Sequence, residues 1–191
     1  MILRFVSLRD AEELAAIYAP IVTSTTTSFE TVAPDAAEMK ARVAAQPENK
    51  PWLVAEIDGA VAGYAYASTF RGRAAYRFGT EVTAYVAERA RRNGVGRALY
   101  RALMSLLASQ GYRRAFAAIT LPNDASVALH RAAGFTEAGV VRGAGFKFDR
   151  WHDVAFYECG LAPLDLPQHD PIAFDKLEPA AIEAAFERSL P

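Results

Sequence analysis

Two glycines and flanking arginines stand together in Arg91-Arg92-Asn93-Gly94-Val95-Gly96-Arg97, between a strand-like run (Glu81 to Val86) and a helical run (Val95 to Gln110). Glycine lets backbone N–H groups turn inward and come close to a ligand. The helix that follows adds free N–H donors and the positive end of its dipole. This context predicts an anion cradle of a size to take a pyrophosphate. A GxxxxGK[ST] phosphate loop is absent, and Leu99 stands where a dinucleotide loop needs its third glycine. What remains is R-x-x-G-x-G, a spacing that also suits an ordinary strand-to-helix turn.

Glu81 is a carboxylate in the middle of an otherwise apolar strand. Burial there would raise its pKa toward the range useful to a general base, whereas a solvent-facing position would leave it inert. Asn123 precedes a helix opening at Asp124, where it serves equally as a cap or as a polar contact for a ligand. His130, His152 and His169 show no metal-ligand spacing. Cys159, the only cysteine, excludes an intrachain disulfide and a thiolate cluster for zinc. No metal is expected.

These groups need a scaffold. The 191 residues, 52% hydrophobic, suit a single core-bearing domain. With 21 basic and 22 acidic residues, no global field recommends nucleic acid or an anionic membrane. No apolar run approaches a membrane span and the N-terminus does not read as a leader, so a soluble cytoplasmic protein is expected.

Ile2 to Val6 reads as a first strand. Asp10 with Glu13, and Asp35 with Glu38, read as capping boxes opening two helices. Between these helices lies a hydroxyl-rich connector, Thr23 to Glu30. Trp52 to Ile57 and Ala60 to Phe70 flank Asp58-Gly59, a strong hairpin signal, and a strand from Tyr76 to Val86 should follow antiparallel. Beyond the helix ending at Gly111 come a strand over Ala115 to Thr120, a helix from Asp124 to Ala133 stopped by Gly134, and strands near Thr136 to Arg142 and Val154 to Gly160. This order predicts a mixed α/β fold, a mostly antiparallel twisted sheet with helices on both faces, over residues 1–162. Residues 163–191 form a proline-rich extension ending in an amphipathic helix, which packs on its own domain or on a neighbour.

The loop resembles the coenzyme A loop of the GNAT acyltransferases. Three further segments are similar to the phosphinothricin and methionine sulfoximine N-acetyltransferase branch of that family. They are Arg73 to Val86, Leu121 to Phe135 and Gly143 to Val154. The resemblance runs from about Ile2 to Leu161 and implies the GNAT acyl-CoA N-acyltransferase fold with acetyl-CoA as co-substrate. It implies that Ala84, Tyr85 and Val86 border the pantetheine arm and that Arg91 to Gly96, with Arg97 at the edge, take the pyrophosphate. Asn123, with Ser126 on the same helix turn, would meet the coenzyme near its reactive end.

The resemblance places Glu81 as general base for an amine that is mostly protonated at neutral pH. His130 stands where many acyltransferases carry an acidic tyrosine. Arg73, Tyr76 and Thr83, with Glu81 itself and Phe29 as an aromatic wall, would form the acceptor site. A cation and a phenol there suit the carboxylate and phosphinate of an amino acid analogue. Tyr76 and Glu81, five residues apart, point to opposite faces of a regular strand, so a bulge would have to reconcile them. Phe148 replaces the histidine of some phosphinothricin enzymes, a form closer to methionine sulfoximine acetyltransferases.

The expected activity is acetyl transfer from acetyl-CoA to the α-amine of a small amino acid analogue, by direct attack in a ternary complex. Cys159 has no evident base, so no acetyl-enzyme is expected. The competing readings are an acetyltransferase for a protein N-terminus, an amine drug or a polyamine, and a non-catalytic coenzyme A-binding sensor. Arg73, Arg77 and Lys147 as pocket cations argue against a polyamine. A homodimer is expected from the resemblance and from the apolar face of the tail helix.

Overall fold

The computed structural model describes residues 1–167 and 169–190. In chain order its elements are Ile2–Phe5 (β1), Ala11–Ser24 (α1), Ala36–Ala44 (α2), Trp52–Ile57 (β2), Ala60–Thr69 (β3), Gly79–Val86 (β4) and Val95–Gln110 (α3). There follow Arg114–Thr120 (β5), Asp124–Ala132 (α4), Thr136–Lys147 (β6), Arg150–Gly160 (β7) and Pro179–Glu187 (α5).

Asp58-Gly59 makes the tight β2–β3 turn with both residues at positive φ, 51° and 80°, the backbone that such a two-residue loop demands. Among the described residues the strands form one seven-stranded sheet in the order β1-β2-β3-β4-β5-β7-β6. Every neighbouring pair is antiparallel except β4 with β5. The expected mixed, mostly antiparallel sheet is the one observed.

Helices lie on both faces because two sets of apolar side chains need cover. Along α3, Val95, Leu99, Ala102, Leu103, Leu106 and Leu107 recur at helical spacing and are buried against Ala65, Ala67, Val82, Ala115 and Ala117. On the opposite face Leu14, Ile17, Tyr18 and Ile21 of α1, with Met39 and Val43 of α2, cover Val54 and Tyr64. Strand alternation therefore divides β4. Val82, Ala84 and Val86 join the α3 side, while Tyr85 and, by period, Thr83 and Glu81 face the α1 side.

Three expectations change. The first capping carboxylate is Asp10 acting on Ser7, whose backbone N–H it accepts at 2.7 Å. Glu13 instead accepts the Val61 N–H at 2.6 Å, tying α1 to β3. Tyr76 lies outside the strand, in a 3-10 turn over Ala74–Tyr76, and β4 begins at Gly79. Finally, β6 and β7 run on to a two-residue turn at Phe148-Asp149, both at positive φ (52° and 58°). The pair becomes a long arm whose outer part extends past the end of β5, since Thr120 already pairs with Val154.

The tail docks on its own domain. Phe5 stacks on Phe174 at 4.8 Å and meets Phe186 of α5 edge-on at 5.5 Å, and Ala185 is buried. The Gln110 side chain donates to the Ile172 carbonyl at 2.8 Å, securing the stretch before α5. The apolar face of α5 is thus occupied within the chain.

Candidate active site

β4 and β5 run side by side for only three residue pairs, Gly79 with Arg114, Thr80 with Ala115 and Glu81 with Phe116. Beyond Glu81 the two strands separate, while β4 keeps its pairing with β3 as far as Val86. The backbone of residues 82–86 therefore faces a fork rather than a strand, which exposes hydrogen-bonding groups that a ligand can satisfy.

A cleft of about 610 Å³ opens at this fork. Ala84, Tyr85 and Val86 form one side. Arg91, Arg92, Gly94, Val95, Gly96 and Arg97 form the floor, and Asn123 and Ser126 close the other side with Thr27. Asn93 is exposed and stands outside this lining. A larger groove, about 820 Å³, runs on from the cleft and shares Ile21, Thr25, Val86 and Arg91 with it, but it contains neither glycine of the loop. The smaller cleft is the one with the anion-binding chemistry.

That chemistry is local backbone geometry. Arg92 and Gly94 have φ of 66° and 76°, turning successive amides toward one side. The first bond of α3 runs from the Ala98 N–H to the Gly94 carbonyl at 2.9 Å, so the amides of Val95, Gly96 and Arg97 lie ahead of it as the open first turn of the helix. At Gly96 a Cβ would sit 3.1 Å from the Leu129 side chain, so glycine lets α3 and α4 close on each other at the cleft. Three exposed guanidiniums, of Arg91, Arg92 and Arg97, rim this cradle. An acid diphosphate fits such a donor set. Held there, acetyl-coenzyme A would supply the activated thioester.

Asn123 caps α4, its side-chain oxygen accepting the Ser126 N–H at 3.1 Å. Its amide nitrogen donates to the Thr27 hydroxyl at 3.3 Å, joining α4 to the hydroxyl-rich connector across the cleft. Of the two roles weighed from sequence, the cap is the one these contacts make, and the same side chain lines the cleft.

Glu81 is half-buried at the fork, and burial raises its carboxyl above the ordinary range, with the nearby Arg71 guanidinium pulling the other way. The Phe116 ring beside it stacks on Phe70 at 3.9 Å and leans over Gly79, where a Cβ would lie 2.9 Å from the ring. Thr83, two residues on, pairs with Tyr66 across β3–β4, whose phenol burial pushes up to about 12.

Tyr76 meets Phe70 edge-on at 5.9 Å and so stands one ring beyond the Phe116 stack. Arg73 begins its turn, exposed. Phe29, 38% exposed, lies against Gly145 of the β6–β7 arm. Arg71 has no sequence signal as a partner of Glu81, because no spacing rule links a residue in the loop after β3 with one ten positions on in β4.

Two expected pocket cations are used elsewhere. Arg77 pairs with Asp170 of the tail at 2.6 Å. Lys147 is buried, donating to the carbonyls of Val22 and Ser28 at 2.7 and 2.6 Å. Their charges therefore say nothing against a polyamine.

His130 is also turned inward. A carbonyl can only accept, so the 2.8 Å contact with Ser126 O fixes the proton on Nδ1, and Nε2 then accepts from the Tyr100 hydroxyl at 2.8 Å. Burial lowers its pKa, favouring this neutral form. With both nitrogens engaged and the ring 6% exposed, the acid role expected of it has no proton to offer the cleft. Cys159 pairs with Ala115, near the opposite end of β5 from the open fork, and burial pushes its thiol up. Among the described residues there is no cluster of three or more His, Cys, Asp or Glu that could hold a metal, and no helix long and apolar enough to cross a membrane.

A forked mixed sheet with an amide cradle at the fork defines a class of acyl-coenzyme A enzymes, and the family model of the GNAT acetyltransferase domain matches residues 3–156. The chain belongs to the GNAT family of acetyl-CoA-dependent N-acetyltransferases. Within it, the chain falls in the phosphinothricin and methionine sulfoximine N-acetyltransferase branch. It is 48% identical over 108 residues to the phosphinothricin N-acetyltransferase of Streptomyces viridochromogenes, a match spanning 56% of this chain and 59% of that one. It is 34% identical over 163 residues to the L-methionine sulfoximine/L-methionine sulfone acetyltransferase of Pseudomonas paraeruginosa, over 84% of this chain and 95% of that one. The crystal structure of a phosphinothricin acetyltransferase from Sinorhizobium meliloti in complex with AcCoA superposes with a TM-score of 0.83 at 36% identity, covering 93% of this chain and 95% of that one.

Proposed function

We propose that this enzyme transfers acetyl from acetyl-CoA to the α-amine of a small amino acid analogue of the phosphinothricin, methionine sulfoximine or methionine sulfone type, by direct attack in a ternary complex. The observation that carries the reading is the position of Glu81, a carboxylate of raised pKa at the point where the sheet opens. There it takes the proton that the ammonium of the acceptor must lose, directly or through one water. The neutral amine attacks the thioester carbonyl, and an open backbone N–H of β4 supports the oxyanion. The thiolate then leaves as coenzyme A.

Arg73 and Tyr76 hold the acceptor's acidic groups in this proposal, and Phe29 with Thr83 bounds its side chain. Arg71, already in the field of Glu81, is a further cation for a carboxylate. We further propose a cytoplasmic homodimer. With α5 docked internally, its contact is better sought on the β6–β7 arm, where Val141, Phe146 and Trp151 are exposed.

The test is thiol release from acetyl-CoA with phosphinothricin, methionine sulfoximine and methionine sulfone offered separately. Saturable turnover with at least one supports the proposal. No turnover on any of them, with acetyl-CoA still bound, overturns it and directs the search to other amines or to a sensor.

A further inference from the structure

We propose that Lys147 is a positioning residue for the acceptor wall, bolting the β6–β7 arm to the end of α1 and to the hydroxyl-rich connector so that Phe29 is seated at the fork. The inference rests on the functional reading above for the identity of the acceptor.

Two facing pairs carry it. Gly145 and Lys147 are alternate residues of β6 and so share a face, and Ser28 and Phe29 are consecutive in the connector. Gly145 meets Phe29 and Lys147 meets Ser28. A methyl group at Gly145 would overlap the Phe29 ring, so the arm offers a gap for the aromatic. Two residues on it offers an ammonium that takes the Ser28 carbonyl at 2.6 Å.

The anchor at the other end is chemically specific. The last carbonyls of a helix have no partner inside it and carry the negative end of its dipole. In α1 the Ile21 carbonyl is taken by the Thr25 hydroxyl at 2.7 Å and the Val22 carbonyl by Lys147 at 2.7 Å. A buried ammonium is costly unless its protons are bonded, and these two carbonyls supply that bonding. The connector is held from its other side as well: the Ser28 hydroxyl meets the Tyr18 phenol at 2.7 Å, and Thr27 receives Asn123. Releasing Lys147 would free the connector at the residue preceding Phe29 while leaving the glycine cradle untouched.

The experiment compares Lys147→Met and Lys147→Arg with the parent enzyme. It uses steady-state kinetics on whichever of the three analogues is turned over, calorimetric acetyl-CoA binding, and hydrogen exchange of the amides at 26–30. Lys147→Met is expected to raise the acceptor KM about ten- to hundred-fold, since small misplacements cost that much, with kcat changed far less and acetyl-CoA affinity unchanged. Exchange at 26–30 should quicken, and Lys147→Arg should recover part of the KM. A folded Lys147→Met with parental acceptor KM and parental exchange overturns the inference. If that variant does not fold, Gly145→Ala displaces Phe29 with the lysine in place and should raise the acceptor KM alone; an unchanged KM overturns it too. Quickened exchange in an enzyme that acetylates none of the analogues upholds the anchor and instead defeats the proposed function.

Discussion

Glu81 is the last residue of β4 to pair with β5, and its partner there is Phe116. The same register that ends the parallel ladder sets a carboxylate beside an aromatic residue at the point where the sheet opens. Glu81→Gln should therefore lower kcat by about two to four orders of magnitude, the usual contribution of a general base, with acetyl-CoA affinity unchanged by calorimetry. A parental kcat would remove Glu81 from the chemistry.

The pH dependence follows from the direction of its shift. The base works ionised, and its pKa is raised, so kcat/KM should climb with pH along a limb lying above the ordinary carboxylate range and fall as Glu81 is protonated. Glu81→Gln should abolish that limb. A rate profile that is flat from pH 5 to 8 in the parent would contradict the assignment.

Gly94 has φ of 76° and open space where a Cβ would be, so a side chain there is opposed by backbone conformation alone. Gly94→Val should cost about 1–3 kcal/mol of local strain, appearing as roughly a ten-fold or greater rise in the acetyl-CoA KM. The acceptor KM should stay put, which initial-rate measurements at saturating donor will show.

His130→Asn removes a buried hydrogen-bond link to Tyr100. It should destabilise the fold by about 1–3 kcal/mol in denaturant titration. The alkaline side of the pH–rate profile should keep its position, because the imidazole gives no proton to the reaction. Loss of an alkaline limb in a folded variant would restore the acid role.

Lys50 is buried with the Thr80 hydroxyl at 3.2 Å and the Tyr112 ring at 4.2 Å as its company, and burial pushes its ammonium down to about 8. Between that value and the ordinary pKa of 10.5 the unfolded chain holds a proton that the folded chain has lost, so stability should rise with pH through this window. Below it the buried charge is a burden. Lys50→Met should stabilise the protein at pH 7 by about 1–2 kcal/mol and flatten the rise, as thermal unfolding against pH will read.

Much of the framework was legible. Asp58-Gly59 announced its hairpin, and the helical run from Val95 to Gln110 with Gly111 after it bounded α3. The β6–β7 turn was not legible, because Phe148-Asp149 adopts positive φ without the Asn-Gly chemistry that signals it. At the cleft, consecutive loop and strand residues could be grouped, since neighbours in sequence stay neighbours. The side-chain partners could not. Arg77 answers Asp170 far along the chain, Lys147 answers backbone carbonyls that carry no sequence identity, and both look like free cations in a string of letters. Tyr76 was read five positions out of phase with Glu81; the 3-10 turn ahead of β4 removes it from the strand and with it the phase conflict.

The forked sheet divides the labour of recognition between two kinds of matter. In the proposed reading the donor would be gripped mainly by main-chain groups, from the open edge of β4 and the first turn of α3, which are the same whatever side chains they bear. The acceptor, in the same reading, would meet side chains from a connector, a short turn and an overhanging arm. Mutation can redraw the second without disturbing the first, so a lineage built on this plan is free to explore new amines while its grip on the acetyl donor is inherited intact.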